Sequence, residues 1–192
     1  LNEEQVFLQH EEINKLNIQL APFKILKGIE SDILYTGALD YPEQVLESFD
    51  FIVASVHSNL KMNQEKAMER LITAIENPYT TILGHLTGRL LLSRPGYPVD
   101  YEKIIDACAA NNVIIELNAN PHRLDMDWRN IPYAIEKGVK IAINPDAHQI
   151  KTLHDMHYGV SVARKAGLTK PFTFNTMSLL EIEDYFKKVK NK

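Results

Sequence analysis

Cysteine is nearly absent: Cys108 is the only one in 192 residues, so no intrachain disulfide is available. Its setting, "IIDACAANN", reads as a small apolar residue buried on a helix, with no neighbouring motif to activate the thiol. Long hydrophobic runs are missing as well. No stretch approaches the roughly 20 apolar residues needed to cross a bilayer, and the opening "LNEEQVFLQHEEINKL" lacks the apolar core of a signal peptide. These absences predict a cytoplasmic protein without membrane attachment. Positive charge is not in excess: the formal net charge is −4, which argues against a surface that holds nucleic acid by charge alone. Acidic metal ligands count as negative in that tally, and bound divalent cations reverse the local field where they sit. Linkers, low-complexity stretches and copied repeats are also absent, so a chain with 45% hydrophobic and 24% charged residues reads as one globular domain. No methionine opens it, and an amphipathic pattern (Val6, Leu8, Ile13, Leu16, Leu20) is under way from the start, as in a piece of something longer.

Five short apolar runs alternate with helical patterns: "FKILKGIE" (23–30), "FIVASVH" (51–57), "TTILGH" (80–85), "VIIELNAN" (113–120) and "KIAINPDAH" (140–148). Near-continuous apolar strands separated by amphipathic helices predict an α/β fold with a parallel sheet and crossover helices. Helix starts are marked by Pro42, by Asn63 and Asp100 as N-caps, and by "SLLE" (178–181) as a capping box. The segment "LTGRLLLSRPGYPVD" (86–100) reads as a long loop at one end of the sheet.

Ionisable residues cluster at the strand ends. Glu30 closes the first run, His57 the second, His85 the third, and Asp146 with His148 the fifth, while Glu116, Asn118 and Asn120 occupy the fourth. The carboxyl ends of parallel strands meet on one face, which carries the site. Imidazole and carboxylate form the ligand set for zinc, manganese or iron, and a carboxylate such as Glu30 can bridge two metals. Such a pair suits phosphoester hydrolysis, through an acidified water and stabilisation of the leaving oxygen. A single histidine at a strand end is more often structural; five polar residues at successive strand ends point to a shared metal site. If "DAH" is extended, Asp146 and His148 face the same way.

Other candidates have duller uses. His154 and His157 read as a solvated pair at a helix start, and His10 and His122 as surface residues. Arg89 is either a clamp for a substrate phosphate or the partner of a scaffold carboxylate. Arg123 and Arg129 read as partners of Asp125 and Asp127.

The segments "LKGIESDIL", "LDYPEQVLESFDFIVASVHS", "NPYTTILGHLTGRLLLSRPGY", "IELNANPHRLDMDWR" and "INPDAH" closely resemble the PHP (polymerase and histidinol phosphatase) domain. The resemblance is strongest to the PHP domain at the C-terminus of bacterial family X DNA polymerases, marked by "GHLTGRLLLSR" and "NANPHRLDMDWR". It implies a distorted seven-stranded βα barrel of the TIM-like type with up to three metals, Mn²⁺ or Zn²⁺, at its carboxyl rim. It assigns Glu30 as a bridging ligand, His57 and His85 to a second metal, Asp146 to a first and His148 to a third. It implies manganese-dependent 3′ to 5′ exonuclease activity and trimming of DNA 3′ ends in repair, with upstream polymerase domains as partners. The family's opening His-X-His strand and the strand after it have no counterpart here. Residues 1–192 are thus expected to form strands three to seven of one N-terminally incomplete domain, with one site, Glu30–His57–His85, keeping all its protein ligands. The alternatives are a small-molecule phosphatase of the histidinol-phosphatase type and a non-catalytic metal-binding scaffold.

Overall fold

The computed structural model describes residues 1–190. Five parallel strands, β1 (Gly28–Asp32), β2 (Phe51–Ser55), β3 (Ile82–Leu83), β4 (Ile114–Asn118) and β5 (Ile141–Asn144), form one sheet in the order β1-β2-β3-β4-β5. Helices α1 (Glu3–Gln19), α2 (Glu43–Glu47), α3 (Gln64–Glu76), α4 (Tyr101–Asn111), α5 (Ile131–Glu136), α6 (Met156–Lys165) and α7 (Leu179–Lys190) surround it. Among the described residues the sheet does not close, so the architecture is a partial parallel βα barrel.

Register sorts the side chains. Glu30 pairs with Val53, Val53 with Ile82, Ile82 with Ile114, and Glu116 with Ala142. Because side chains alternate, these residues share one face of the sheet. At its lower part Ile82, Ile114 and Ala142 pack with Phe174 and Phe186. The other face, carrying Ile52, Ala54, Leu83, Ile115, Leu117, Ile141 and Ile143, packs on the helices as the larger core. The outer edge of β5 is covered, since the Asn175 amide accepts from the Ile143 N–H (2.7 Å) and donates to the Ile143 carbonyl (2.9 Å).

The helix starts follow the sequence. Asn63 accepts from the Lys66 N–H and Asp100 from the Lys103 N–H. Ser178 and Glu181 close their capping box, with the Ser178 N–H donating to Glu181 Oε2 at 2.7 Å. Cys108 is buried on α4.

Three expectations need correcting. The first strand was expected over 23–30 but spans Gly28–Asp32, because the Ile25 and Lys27 N–H groups donate to the side chains of Asn17 (2.6 Å) and Asp50 (2.7 Å) rather than to a neighbouring strand. The last run was expected to stay extended through His148, yet β5 ends at Asn144 and Asp146 is left-handed at φ +50°. His10 is buried, not on the surface, and meets the Phe49 ring edge-on at 4.9 Å, which docks α1 on the core. No helix among the described residues is long and apolar enough to cross a membrane.

Candidate metal centre

Glu30, His57 and His85 come together at the carboxyl end of the sheet. Their ligand atoms all lie within 4.8 Å of one another. His57 and His85 each follow the last residue of their strand by two positions, whereas Glu30 is central in β1 and reaches up toward both. His57 Nε2 lies 3.3 Å from Glu30 Oε1 and His85 Nε2 lies 3.1 Å from the same oxygen. The two rings meet edge to face at 5.1 Å. Gly84 makes this possible: a Cβ there would stand 2.3 Å from Ser55 Oγ and 2.8 Å from Val53 Cγ1.

The charges are mutually tuned. Burial pushes the Glu30 carboxyl up, but the close imidazoles of His57 and His85 outweigh it and hold the group well below the usual carboxylate range. His57 is raised, chiefly by the nearby Glu30 carboxylate against partial burial. His85 is almost wholly buried, and neither of its ring nitrogens has a well-aligned hydrogen-bond partner, although Nε2 is close to Glu30. Two imidazole nitrogens and a carboxylate oxygen converging without good mutual alignment fit a shared divalent cation, and two nitrogens with one oxygen are a donor set suited to zinc or manganese.

A buried network stands beside the cluster. Glu116 accepts from the His85 backbone N–H (2.7 Å), the Asn118 amide (3.2 Å) and the Asn144 amide (3.0 Å), and burial raises its pKa despite these bonds. Asn118 also donates to Asp146 Oδ2 (3.2 Å), and Arg123 Nε lies 3.2 Å from that oxygen. Glu30, Glu116, Asn144 and Asp146 ring the polar end of a cavity of about 510 Å³ whose other walls include Phe51, Val53, Ile82, Phe174 and Phe186.

The structure thus separates the five expected ligands. Glu30, His57 and His85 form one cluster, and Asp146 lines the same cavity but is held by Asn118 and Arg123. His148 lies outside the cluster: its side chain is 81% exposed, and its Nδ1 stands 2.9 Å from the Asp146 carbonyl and 3.6 Å from Asp146 Oδ1, where the left-handed Asp146 turns the chain. Arg89 is held by the scaffold. It pairs with Asp127 Oδ2 (3.0 Å) and donates to the carbonyls of Arg123 (3.0 Å) and Leu124. Those bonds match its expected alternative as the partner of a scaffold carboxylate. Asp127 also pairs with Arg129 as expected, while Arg123, expected to join Asp125 or Asp127, pairs with Asp146. His122, His154 and His157 are exposed.

Sequence reasoning missed Asp32 and Arg70, and gave Arg123 a different partner. Asp32 belongs to β1 two residues after Glu30, and ending the strand at 30 concealed it. Arg70 lies within the buried stripe of α3, Ala67, Arg70, Leu71, Ala74 and Ile75, where a charge at an apolar position was the available signal.

No known family model matches the chain. It is 41% identical over 188 residues to the DNA polymerase/3′-5′ exonuclease PolX of Bacillus subtilis (strain 168), a match that takes in 98% of this chain and 33% of PolX. The chain thus spans about a third of that protein. It is 31% identical over 191 residues to a probable phosphatase of Thermoanaerobacter sp. (strain X514), covering 92% of this chain and 75% of the relative. The chain belongs to the family of these probable phosphatases. A further member, from Caldanaerobacter subterraneus subsp. tengcongensis, is 27% identical and covered to 72%.

Proposed function

We propose that the chain is a metal-dependent phosphoesterase module of the PHP type that processes DNA 3′ ends as part of a family X DNA polymerase. The observation that carries this reading is the convergence of Glu30, His57 and His85 on one point beside a cavity lined at one end by Glu30, Glu116, Asn144 and Asp146. A cation held there, Mn²⁺ or Zn²⁺, supplies electrophilic stabilisation of the phosphoryl group and a more acidic water.

The chain's own residues do the rest. Glu30 offers a carboxylate kept ionised by its two imidazole neighbours, and His57 and His85 offer Nε2. Glu116 fixes the His85 backbone and, through Asn118, the carboxylate of Asp146. Arg123, paired with Asp146 at the rim, is the guanidinium placed to meet a substrate phosphate. Arg89 shapes that loop by gripping the carbonyls of residues 123 and 124. Asp146 and His148 remain proposed ligands of further metals. With a net charge of −4, the module depends on the polymerase portion for a basic surface that holds duplex DNA.

The similarity to probable phosphatases, covering 75% of one of them, supports a second reading, hydrolysis of a small phosphomonoester such as histidinol phosphate. The deciding experiment compares manganese-dependent turnover of a 3′-recessed DNA and of histidinol phosphate by the full-length protein. Preference for the DNA supports the exonuclease reading, and preference for the small ester supports the phosphatase. Cleavage of neither in excess manganese leaves a scaffold.

A further inference from the structure

His57 stands in the loop after β2 with a half-exposed ring, and its contact with Glu30 does not by itself fix which nitrogen faces the cluster. Asp32, at the end of β1, meets this loop at three points. Its Oδ1 accepts the His57 backbone N–H at 3.0 Å and lies 3.6 Å from His57 Nδ1, and its Oδ2 accepts from Ser58 Oγ at 3.3 Å. A carboxylate facing Nδ1 favours hydrogen on that nitrogen and leaves the Nε2 lone pair for the cluster.

Arg70 braces the same place from behind. Fully buried on α3, it donates Nε to the carbonyls of Ile33 (3.1 Å) and Leu34 (2.8 Å), and one terminal nitrogen to the Ser58 carbonyl (2.9 Å). Its other terminal nitrogen reaches the Ile33 carbonyl and Ser58 Oγ. The guanidinium therefore ties the chain leaving β1 to the chain leaving β2, and its acceptors are carbonyls and a hydroxyl rather than a carboxylate.

We infer that Asp32 is a positioning residue that aims His57 Nε2 at Glu30, with Arg70 holding the two strand exits in the register this requires. The inference rests on the reading of Glu30, His57 and His85 as metal ligands.

The test uses Asp32→Ala and the near-isosteric Asp32→Asn in the full-length protein. Binding of Mn²⁺ or Zn²⁺ alone is measured by competition with a chromogenic chelator. The tautomer of His57 is read by nitrogen-15 NMR on metal-free protein at a pH where the ring is neutral. Asp32→Ala is expected to weaken metal binding about 10- to 100-fold with an unchanged melting temperature, and to shift His57 from the Nδ1–H form toward a mixture. Asp32→Asn keeps the acceptor for the backbone N–H but loses the charge, so it should fold normally and fall between the two. Wild-type affinity together with an unchanged His57 tautomer in both variants would overturn the inference. If the wild-type protein binds neither metal, the reading of the cluster fails, while the His57 tautomer still reports separately whether Asp32 aims the ring.

Discussion

Glu30 Oε1 stands 3.1 Å from His85 Nε2, and that same oxygen stands 3.3 Å from His57 Nε2. One carboxylate oxygen of β1 thus gathers an imidazole from the exit of each of the next two strands. Glu30→Gln keeps the shape but removes the charge, and His85→Ala removes a buried donor. Each should lower metal affinity and manganese-dependent turnover by more than the roughly 10- to 100-fold that loss of an outer partner costs. Chelator competition and a steady-state assay check this, and full activity in either variant would contradict the site.

The pair also predicts how the metal-free protein responds to pH. Glu30 is held below its ordinary value of 4.5, so its contribution to stability is complete above 4.5 and disappears as pH falls toward the lowered value. His57 is raised above 6.5, so its contribution is complete below 6.5 and disappears as pH rises through the raised value. The melting temperature of chelator-treated protein should therefore include a favourable window between 4.5 and 6.5 that Glu30→Gln flattens. A cation competes with the His57 proton, so metal affinity should climb as pH passes the raised His57 value. An affinity independent of pH across neutrality would count against His57 as a ligand.

The two arginines near the rim should behave differently. Arg123→Ala removes the guanidinium at Asp146, which keeps its bond from Asn118, and is expected to raise KM for a phosphoester by a factor equivalent to about 1.5–3 kcal/mol with a smaller loss of stability than Arg89→Ala. Arg89→Ala takes the side-chain donor from the carbonyls of residues 123 and 124 and leaves Asp127 with Arg129 alone, and is expected to cost about 1–3 kcal/mol in stability. Denaturant titration beside steady-state kinetics separates the two. The opposite pattern would return Arg89 to the role of phosphate clamp.

Gly84 links the sheet to the site. In Gly84→Ala the new methyl would meet Ser55 Oγ at 2.3 Å, within a closely packed strand pair. The expected cost is about 1–3 kcal/mol, together with weaker metal binding because His85 is the next residue. A variant as stable as wild type with unaltered affinity would show that β2 and β3 can separate without disturbing the cluster.

Much of this protein is determined by its sequence alone. The alternation of apolar runs and amphipathic helices dictates a parallel α/β sheet, because strands buried on both faces must be apolar throughout and parallel neighbours need crossovers. Glu30, His57 and His85 could be marked because each interrupts or closes such a run, and Asn63, Asp100 and "SLLE" could be placed because capping is a local hydrogen bond. Tertiary structure decided the rest. Whether Arg89 or Arg123 faces Asp146 depends on how the loops after β3 and β4 fold against each other, and residue type does not encode that choice. Asp146 was misread as extended because its left-handed backbone depends on the surrounding loop, which turns His148 toward solvent. Asp32 and Arg70 gain their significance only when the exits of β1 and β2 are brought side by side, since spacing along a chain carries no record of contacts made across strands.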